Sequence, residues 1–428
     1  MCGTVKPGNS VYDRFDGCRN ADAVLERVRV LRYHPDVRTR KREGRKGLAE
    51  RIIITGATGF LGREVLRRLL ERLPGARFVL LVREKEGETA AERVRALIEV
   101  LEPPHTRAAV LDRIEAYPAD LALERFGLSE SDYASIADGA TRIIHSAATV
   151  RFDHPLEVAR RINVGGTRSV IALAREAHRR GPLKNFAYIG TAFVAGKRTG
   201  LVHEHELDAG QGFRNTYERT KCEAEALVRS HMEELPTVIA RPSIIVGDSR
   251  TGITTSFKTM YWPLKVYAKH RWRTVPGHPD AVVDIVPVDF VADAVTHLAL
   301  DERAVGRCAH LCAGPEGSAT IREIGEFASD FFGVGPPRFF DPAFFFAVLR
   351  PFLYATVWGK RRRVLRNGRF YLPYFRMQVA YDTTRARELL SPAGIRAPKV
   401  TAYLEKLFRY CVESDWGTRA VTLSKEAA

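Results

Sequence analysis

The chain should fold as an α/β domain around a doubly wound parallel sheet, with a smaller C-terminal part that binds substrate. Three observations predict this. Three isoleucines, Ile52 to Ile54, open directly into a glycine-rich turn. Strand-length apolar runs then alternate with helical periodicity up to about residue 190. Beyond residue 242 the alternation becomes less regular.

Taken in order, residues 1–50 read as a basic lead-in, helical or partly disordered, ending in the run Arg38 to Lys46. Ile52–Ile54 form a short buried strand, and Leu61 to Leu73 has helical periodicity. Phe78 to Val82 is a second buried strand, and a helix-like stretch follows near Ala90–Val100. Ile143-Ile144 and Phe186 to Ile189 are further short strands, separated by the helical segment Leu156–Ala177. Such spacing needs right-handed crossovers between parallel strands. No solenoid-type repeat accompanies it.

Composition narrows the function classes. The 428 residues, 45% of them apolar, are enough for one large domain with a full core. Six cysteines, at 2, 18, 222, 308, 312 and 411, are too sparse for a disulfide framework, so a reducing, cytoplasmic setting is expected. No uncharged apolar run reaches eighteen residues, so a spanning helix is not expected. The first twenty residues carry charge at Lys6, Asp13, Arg14, Asp16 and Arg19 without an apolar stretch, which argues against a secretory leader. Cys308, His310 and Cys312 share one face of a short strand; without a second ligand pair they read as packing, and no metal is expected.

The net charge of +16 sits on the flanks. Residues 1–50 hold 12 Lys/Arg against 7 Asp/Glu, and residues 338–376 hold 9 against 1. Anionic headgroups or phosphorylated cofactors are the fitting partners; no recognition signature accompanies the charge, so nucleic acid is not expected.

The chemistry starts at Thr55-Gly-Ala-Thr-Gly-Phe-Leu-Gly62. Gly56, Gly59 and Gly62 follow a strand and open a helix, where glycine lets the backbone approach a pyrophosphate held by N–H groups at the helix N-terminus. This is a Rossmann-type opening. Thr58, Phe60 and Leu61 of the same turn join the glycines as candidate cofactor contacts. Where the second strand ends, an acidic residue suits a free ribose hydroxyl and an arginine suits the 2′-phosphate of NADP. Arg83 comes first there, with Glu84 beside it, so NADPH is the expected cofactor.

Tyr217 and Lys221 lie four apart on a helix and so share a face. An ammonium beside a phenol is expected to lower its pKa toward neutrality, as acid/base work requires. Thr191 closes the strand begun at Tyr188, and its hydroxyl should face the same crevice at the carboxyl end of the sheet.

On these motifs the chain resembles the extended short-chain dehydrogenase/reductases. Within them it is most similar to fatty acyl-CoA reductases and the thioester-reductase domains of carboxylic acid reductases. The residues carrying the narrower likeness are His145 to Phe152, Asn163-Val-Gly-Gly-Thr167, Arg241-Pro-Ser-Ile-Ile-Val-Gly247 and Val286-Pro-Val-Asp-Phe290, over roughly residues 50–330. The resemblance implies a catalytic set of Thr191, Tyr217 and Lys221, with Lys221 also holding the nicotinamide ribose. It implies cofactor contacts from Asp120, Leu121 and Ala147, with Pro242 walling the nicotinamide pocket. It further implies that NADPH reduces a long-chain acyl thioester, of coenzyme A or an acyl carrier protein, to an aldehyde, with either aldehyde or alcohol as the final product. Two positions depart from the family pattern: Gly190 stands where serine is common, and Ala119 where glycine is common.

These readings divide the chain into a lead-in (1–50), an NADP-binding domain (51–241), a substrate part interleaved with it (242–338) and an apolar, basic C-terminal region (339–428). Met260 to Tyr267 and Phe339 to Trp358 are expected either to wall an acyl tunnel or, for the second, to lie at a membrane with Lys360–Arg363 on anionic headgroups. Peripheral membrane association is therefore expected alongside the cytoplasmic setting. Two other uses of the fold stay open: a nucleotide-sugar epimerase/dehydratase or sterol dehydrogenase, and a redox-sensing binder without turnover.

Overall fold

The computed structural model describes residues 50–419 except 86, 182, 271–272, 342–343, 357 and 360–370. The basic lead-in up to residue 49 and the Lys360–Arg363 cluster lie outside the described residues.

Seven parallel strands form the central sheet: β1 Arg51–Thr55, β2 Arg77–Val82, β3 Ile114–Pro118, β4 Arg142–His145, β5 Asn185–Ile189, β6 Thr237–Pro242 and β7 Cys308–Leu311. Their order is β7-β6-β5-β4-β1-β2-β3, so the sheet reverses direction beside β1 and opens a crevice at its carboxyl edge. Ile52, Ile53 and Ile54 are wholly buried. Ile53 faces one core layer while Ile52 and Ile54 face the other, which is why the strand is apolar without alternation. Each such side chain contributes about 1.5–3 kcal/mol of burial.

Helices α1 Phe60–Arg72, α2 Ala90–Leu101, α3 Gly166–Arg180, α4 Thr216–Arg229 and α6 Val288–Leu300 flank the sheet, while α5 Tyr261–His270 and α7 Ile321–Phe332 pack together in the smaller part. The sheet draws on residues past 241, since β7 and α6 come from the interleaved segment. α6 docks on α1, where the Arg68 guanidinium meets the Asp293 carboxylate at 2.7 Å.

The expected helical segment Leu156–Ala177 is continuous, with a π-turn at Arg161–Gly165 between Leu156–Arg160 and α3. Gly166 sits where a Cβ would come within 2.9 Å of the Leu121 side chain, so glycine lets α3 approach the loop after β3.

The smaller part is built from two-stranded pieces. Ile244–Val246 pairs with Ile285–Pro287, Thr274–Pro276 with Arg338–Phe340, and Gly200–Val202 with Val379–Tyr381. The last pairing brings the C-terminal region back beside the loop that follows Thr191. A final helix, Leu404–Glu413, buries Leu404, Leu407 and Phe408 in the same core.

Candidate active site

The glycine turn has no room for side chains. Gly56 has φ +77°, and a Cβ there would stand 2.7 Å from the Ala147 amide nitrogen. At Gly62 a Cβ would lie 2.0 Å from the Gly56 carbonyl oxygen. α1 starts at Gly59 with no side-chain cap and no acidic residue in its first turn, leaving its amide end open to an anion. These residues fit a dinucleotide pyrophosphate. Leu61 and Phe60 pack into the core, so only their backbone faces the turn. Gly62→Ala should raise the dissociation constant for a nicotinamide dinucleotide by about tenfold or more, or about 1.4 kcal/mol. A fluorescence titration measures this, and unchanged affinity would show that the turn is not the cradle.

His145 ties the ends of β1 and β4 together. Its Nδ1 lies 2.7 Å from the Thr55 hydroxyl and its Nε2 3.2 Å from that of Thr167. Burial lowers its pKa to about 3, so the ring stays neutral. The Ala147 amide donates to the Thr55 hydroxyl at 3.3 Å, which holds Ala147 against Gly56. On the loop after β3, the Asp120 carboxylate accepts from the Ala122 amide at 2.8 Å, and Leu121 packs beside α3.

Beyond β5 the Thr191 hydroxyl stands near the Tyr217 phenol, with Lys221 one turn further along the same helix. β5 ends at Ile189, two residues before the expected end. Thr191 instead caps a 3-10 turn, its hydroxyl accepting from the Phe193 amide at 3.3 Å. That hydroxyl also donates to the Pro242 carbonyl at 3.4 Å, and it stands near enough to the Tyr217 phenol to lower its pKa. Lys221 is buried on α4 and Tyr217, one turn earlier, is half-buried; the Lys221 ammonium donates to the Ile189 carbonyl at 2.7 Å.

The electrostatics differ from the expectation that lysine would depress the phenol. Burial raises the Tyr217 pKa to about 12, and the Thr191 hydrogen bond offsets this only in part. Burial also lowers Lys221 to about 7, against the attraction of Glu225. The physical reason is placement: the ammonium is turned to a backbone carbonyl and the Tyr188 ring, 4.4 Å away, rather than to the phenol.

Asn163 locks this arrangement. Its side chain donates to the Thr149 carbonyl and the Thr220 hydroxyl and accepts from the Thr149 amide, joining the π-turn, the loop after β4 and α4. The sequence marked Asn163 only as part of a motif, because its partners lie 14 and 57 residues away. Glu225, one turn past Lys221, forms a fully buried pair with Arg241 at 2.6 Å. A Cβ on Gly190 would lie 3.1 Å from that carboxylate, which accounts for glycine where serine is common.

Arg83 follows β2 and is exposed. A second arginine, Arg93 of α2, reaches the Thr58 hydroxyl at 3.2 Å and the Arg83 carbonyl, placing two guanidinium-bearing residues near the glycine turn. Sequence reasoning missed Arg93, which resembles any solvated helix charge until the turn is seen beside it. His310 bonds Arg241 and the Asp382 carbonyl, and the buried Glu204 holds the amides of His310, Arg385 and Ala386. His203–Glu206 thus acts as a structural clamp between β7 and the segment around Asp382–Ala386.

An apolar cavity of about 160 Å³ lies in the smaller part, with Phe193 and Tyr374 on its walls. Phe193, Ile244, Met260, Tyr267, Phe375 and Tyr381 are among its walls. The path from the phenol is aromatic: the Phe152 ring lies 5.9 Å from both Tyr217 and Tyr374, and Tyr374 lines the cavity. Met260, Pro263, Leu264 and Tyr267 line it, but no described residue of Phe339–Trp358 does. Phe345, Leu349, Leu353 and Tyr354 pack instead with Leu372 and Phe375.

Comparison with known proteins agrees with this architecture. The family model described as male sterility protein, an NAD-binding family, matches residues 54–295. The fatty acyl-CoA reductase wat of Drosophila melanogaster is 30% identical over 283 residues, 58% of this chain and 54% of the relative. Fatty acyl-CoA reductase 1 of Mus musculus is 31% identical over 278 residues, 56% and 53% of the two chains. The chain thus spans about half the length of these curated relatives. The crystal structure of the terminal R domain from the myxalamid PKS-NRPS biosynthetic pathway superposes with a TM-score of 0.74 at 27% identity, covering 87% of this chain and 92% of that one. With the glycine turn, the seven-stranded order and the hydroxyl–phenol–amine cluster in place, the chain belongs to the male sterility protein family, as an extended short-chain dehydrogenase/reductase resembling fatty acyl-CoA reductases and thioester-reductase domains.

Proposed function

We propose that this chain reduces a long-chain fatty acyl thioester with NADPH. The observation that carries the reading is the apolar cavity beginning at Phe193, two residues from the hydroxyl that meets the Tyr217 phenol. A wall with so few polar groups suits an alkyl chain and offers little to a nucleotide sugar. The nearby relatives are named fatty acyl-CoA reductases, which supports the same substrate class. Arg83, with Arg93 beside it, supports NADPH over NADH, since a guanidinium pairs with the 2′-phosphate.

NADPH, when bound, supplies the two electrons as hydride to the thioester carbonyl carbon. The protein residues handle charge and proton. Thr191 and Tyr217 donate hydrogen bonds to the carbonyl oxygen as it becomes an oxyanion. A phenol held at about 12 is fully protonated at neutral pH, as a proton donor must be. Lys221 fixes the end of β5 and holds the nicotinamide ribose. The carbon–sulfur bond then breaks, releasing thiol and leaving aldehyde; a second reduction in the same site gives alcohol.

Incubating the protein with NADPH and palmitoyl-CoA should oxidise NADPH, release free thiol and form aldehyde or alcohol, with NADH markedly poorer. Absence of both oxidation and thiol across acyl chain lengths would overturn the reading. Arg83→Ala should weaken NADPH by about tenfold and leave NADH unchanged; equal loss for both would remove Arg83 from the 2′-phosphate.

A further inference from the structure

Residues 344–356 form a continuous helical segment, a π-turn at Phe345–Leu349 running into α8, Arg350–Thr356. One face is seated in the protein, with Phe345 buried beside Leu372, and Leu349 and Leu353 packed against them. The opposite face is exposed and apolar. Phe344, Val348 and Phe352 are 52%, 53% and 63% exposed, and Ala347, Pro351 and Ala355 lie exposed between them. Trp358, 75% exposed, follows at the end. Their i, i+3, i+4 spacing makes a single stripe. Scattered exposed apolar residues need no explanation, but a contiguous stripe of this kind does.

Charge tells what covers it. Residues 342–376 contain eight Lys/Arg and no Asp/Glu. Among them Arg376 is exposed, on the 3-10 turn Leu372–Arg376 that the helix packs against. An apolar stripe within a purely basic segment matches an anionic lipid surface: rings enter the acyl boundary while cations meet headgroups. No described helix is long and apolar enough to cross a membrane, so the contact lies in the plane of the interface. We infer that the exposed stripe of Phe344, Val348 and Phe352, with Trp358, docks this protein on an anionic bilayer. The other side of Tyr371–Phe375 lines the apolar cavity, so docking sets the cavity next to lipid. That consequence rests on the acyl-thioester reading; the docking itself does not.

The test sediments the full chain with vesicles of neutral phosphatidylcholine alone or with anionic phosphatidylserine. Wild type should pellet with the anionic vesicles, less with neutral ones, and less again in high salt. The double variant Val348→Glu, Phe352→Glu alters only exposed positions, so its thermal melt should match wild type. Its partition should fall by at least about tenfold, the loss expected when one large apolar side chain cannot bury. NADPH oxidation with a soluble short-chain acyl-CoA should not change, which separates this proposal from the reductase reading. Equal pelleting of variant and wild type, or no pelleting of either, overturns it. So does a concentration-dependent dimer that the variant abolishes without any vesicle binding, because a second copy then covers the stripe.

Discussion

Tyr217→Phe should lower the turnover of an acyl thioester by about 10²–10⁴-fold, the usual contribution of a positioned proton donor. Dinucleotide affinity should stay near wild type. The variant removes one oxygen from a half-buried ring that packs on Phe152, 5.9 Å away, so packing is kept. What disappears is the phenol beside the Thr191 hydroxyl. Steady-state NADPH oxidation and a fluorescence titration separate the two effects. A loss seen mainly in cofactor affinity would move Tyr217 from proton donor to cofactor support.

Glu225→Ala should cost about 3–5 kcal/mol of folding stability, because it strands a buried guanidinium. Arg241 is wholly buried, and Glu225 is its carboxylate partner, at 2.6 Å. The remaining Arg241 bonds, to the Glu206 carbonyl and His310, leave its charge uncompensated. Replacing both partners by apolar side chains should recover much of the loss, since the pair mainly offsets its own desolvation. Urea denaturation of the single and double variants measures this. A single variant as stable as wild type would show that water reaches Arg241. Activity should also suffer in the single variant, because Glu225 stands one turn from Lys221 and favours its charged form.

The sheet's centre was legible because β1, β2, β4 and β5 are short, apolar and set off by turns. β6 was not, since Arg241 near its end looks incompatible with a buried strand until Glu225, sixteen residues earlier, is placed beneath it. β3 lies at the sheet edge, half-buried, with Glu115 pairing Arg51, so its apolar signal is weak. At the site, glycine spacing and the Tyr217–Lys221 interval exposed the main parts, because those distances are local. The positions of Asn163, Arg93 and Tyr374 were hidden for the opposite reason. Tyr374, which donates to Glu218 at 2.8 Å, arrives from 156 residues along the chain. The direction of the Tyr217 shift was also beyond reach, since it depends on burial rather than on which neighbour is charged.

The central claim is that Thr191 and Tyr217 act as one unit on the substrate carbonyl oxygen. Turnover of Thr191→Val, Tyr217→Phe and the combined variant tests it most directly. The account predicts that the combined variant is no slower than Tyr217→Phe alone, as for residues that work together. Losses that multiply, or a Thr191→Val variant of full activity, would contradict it.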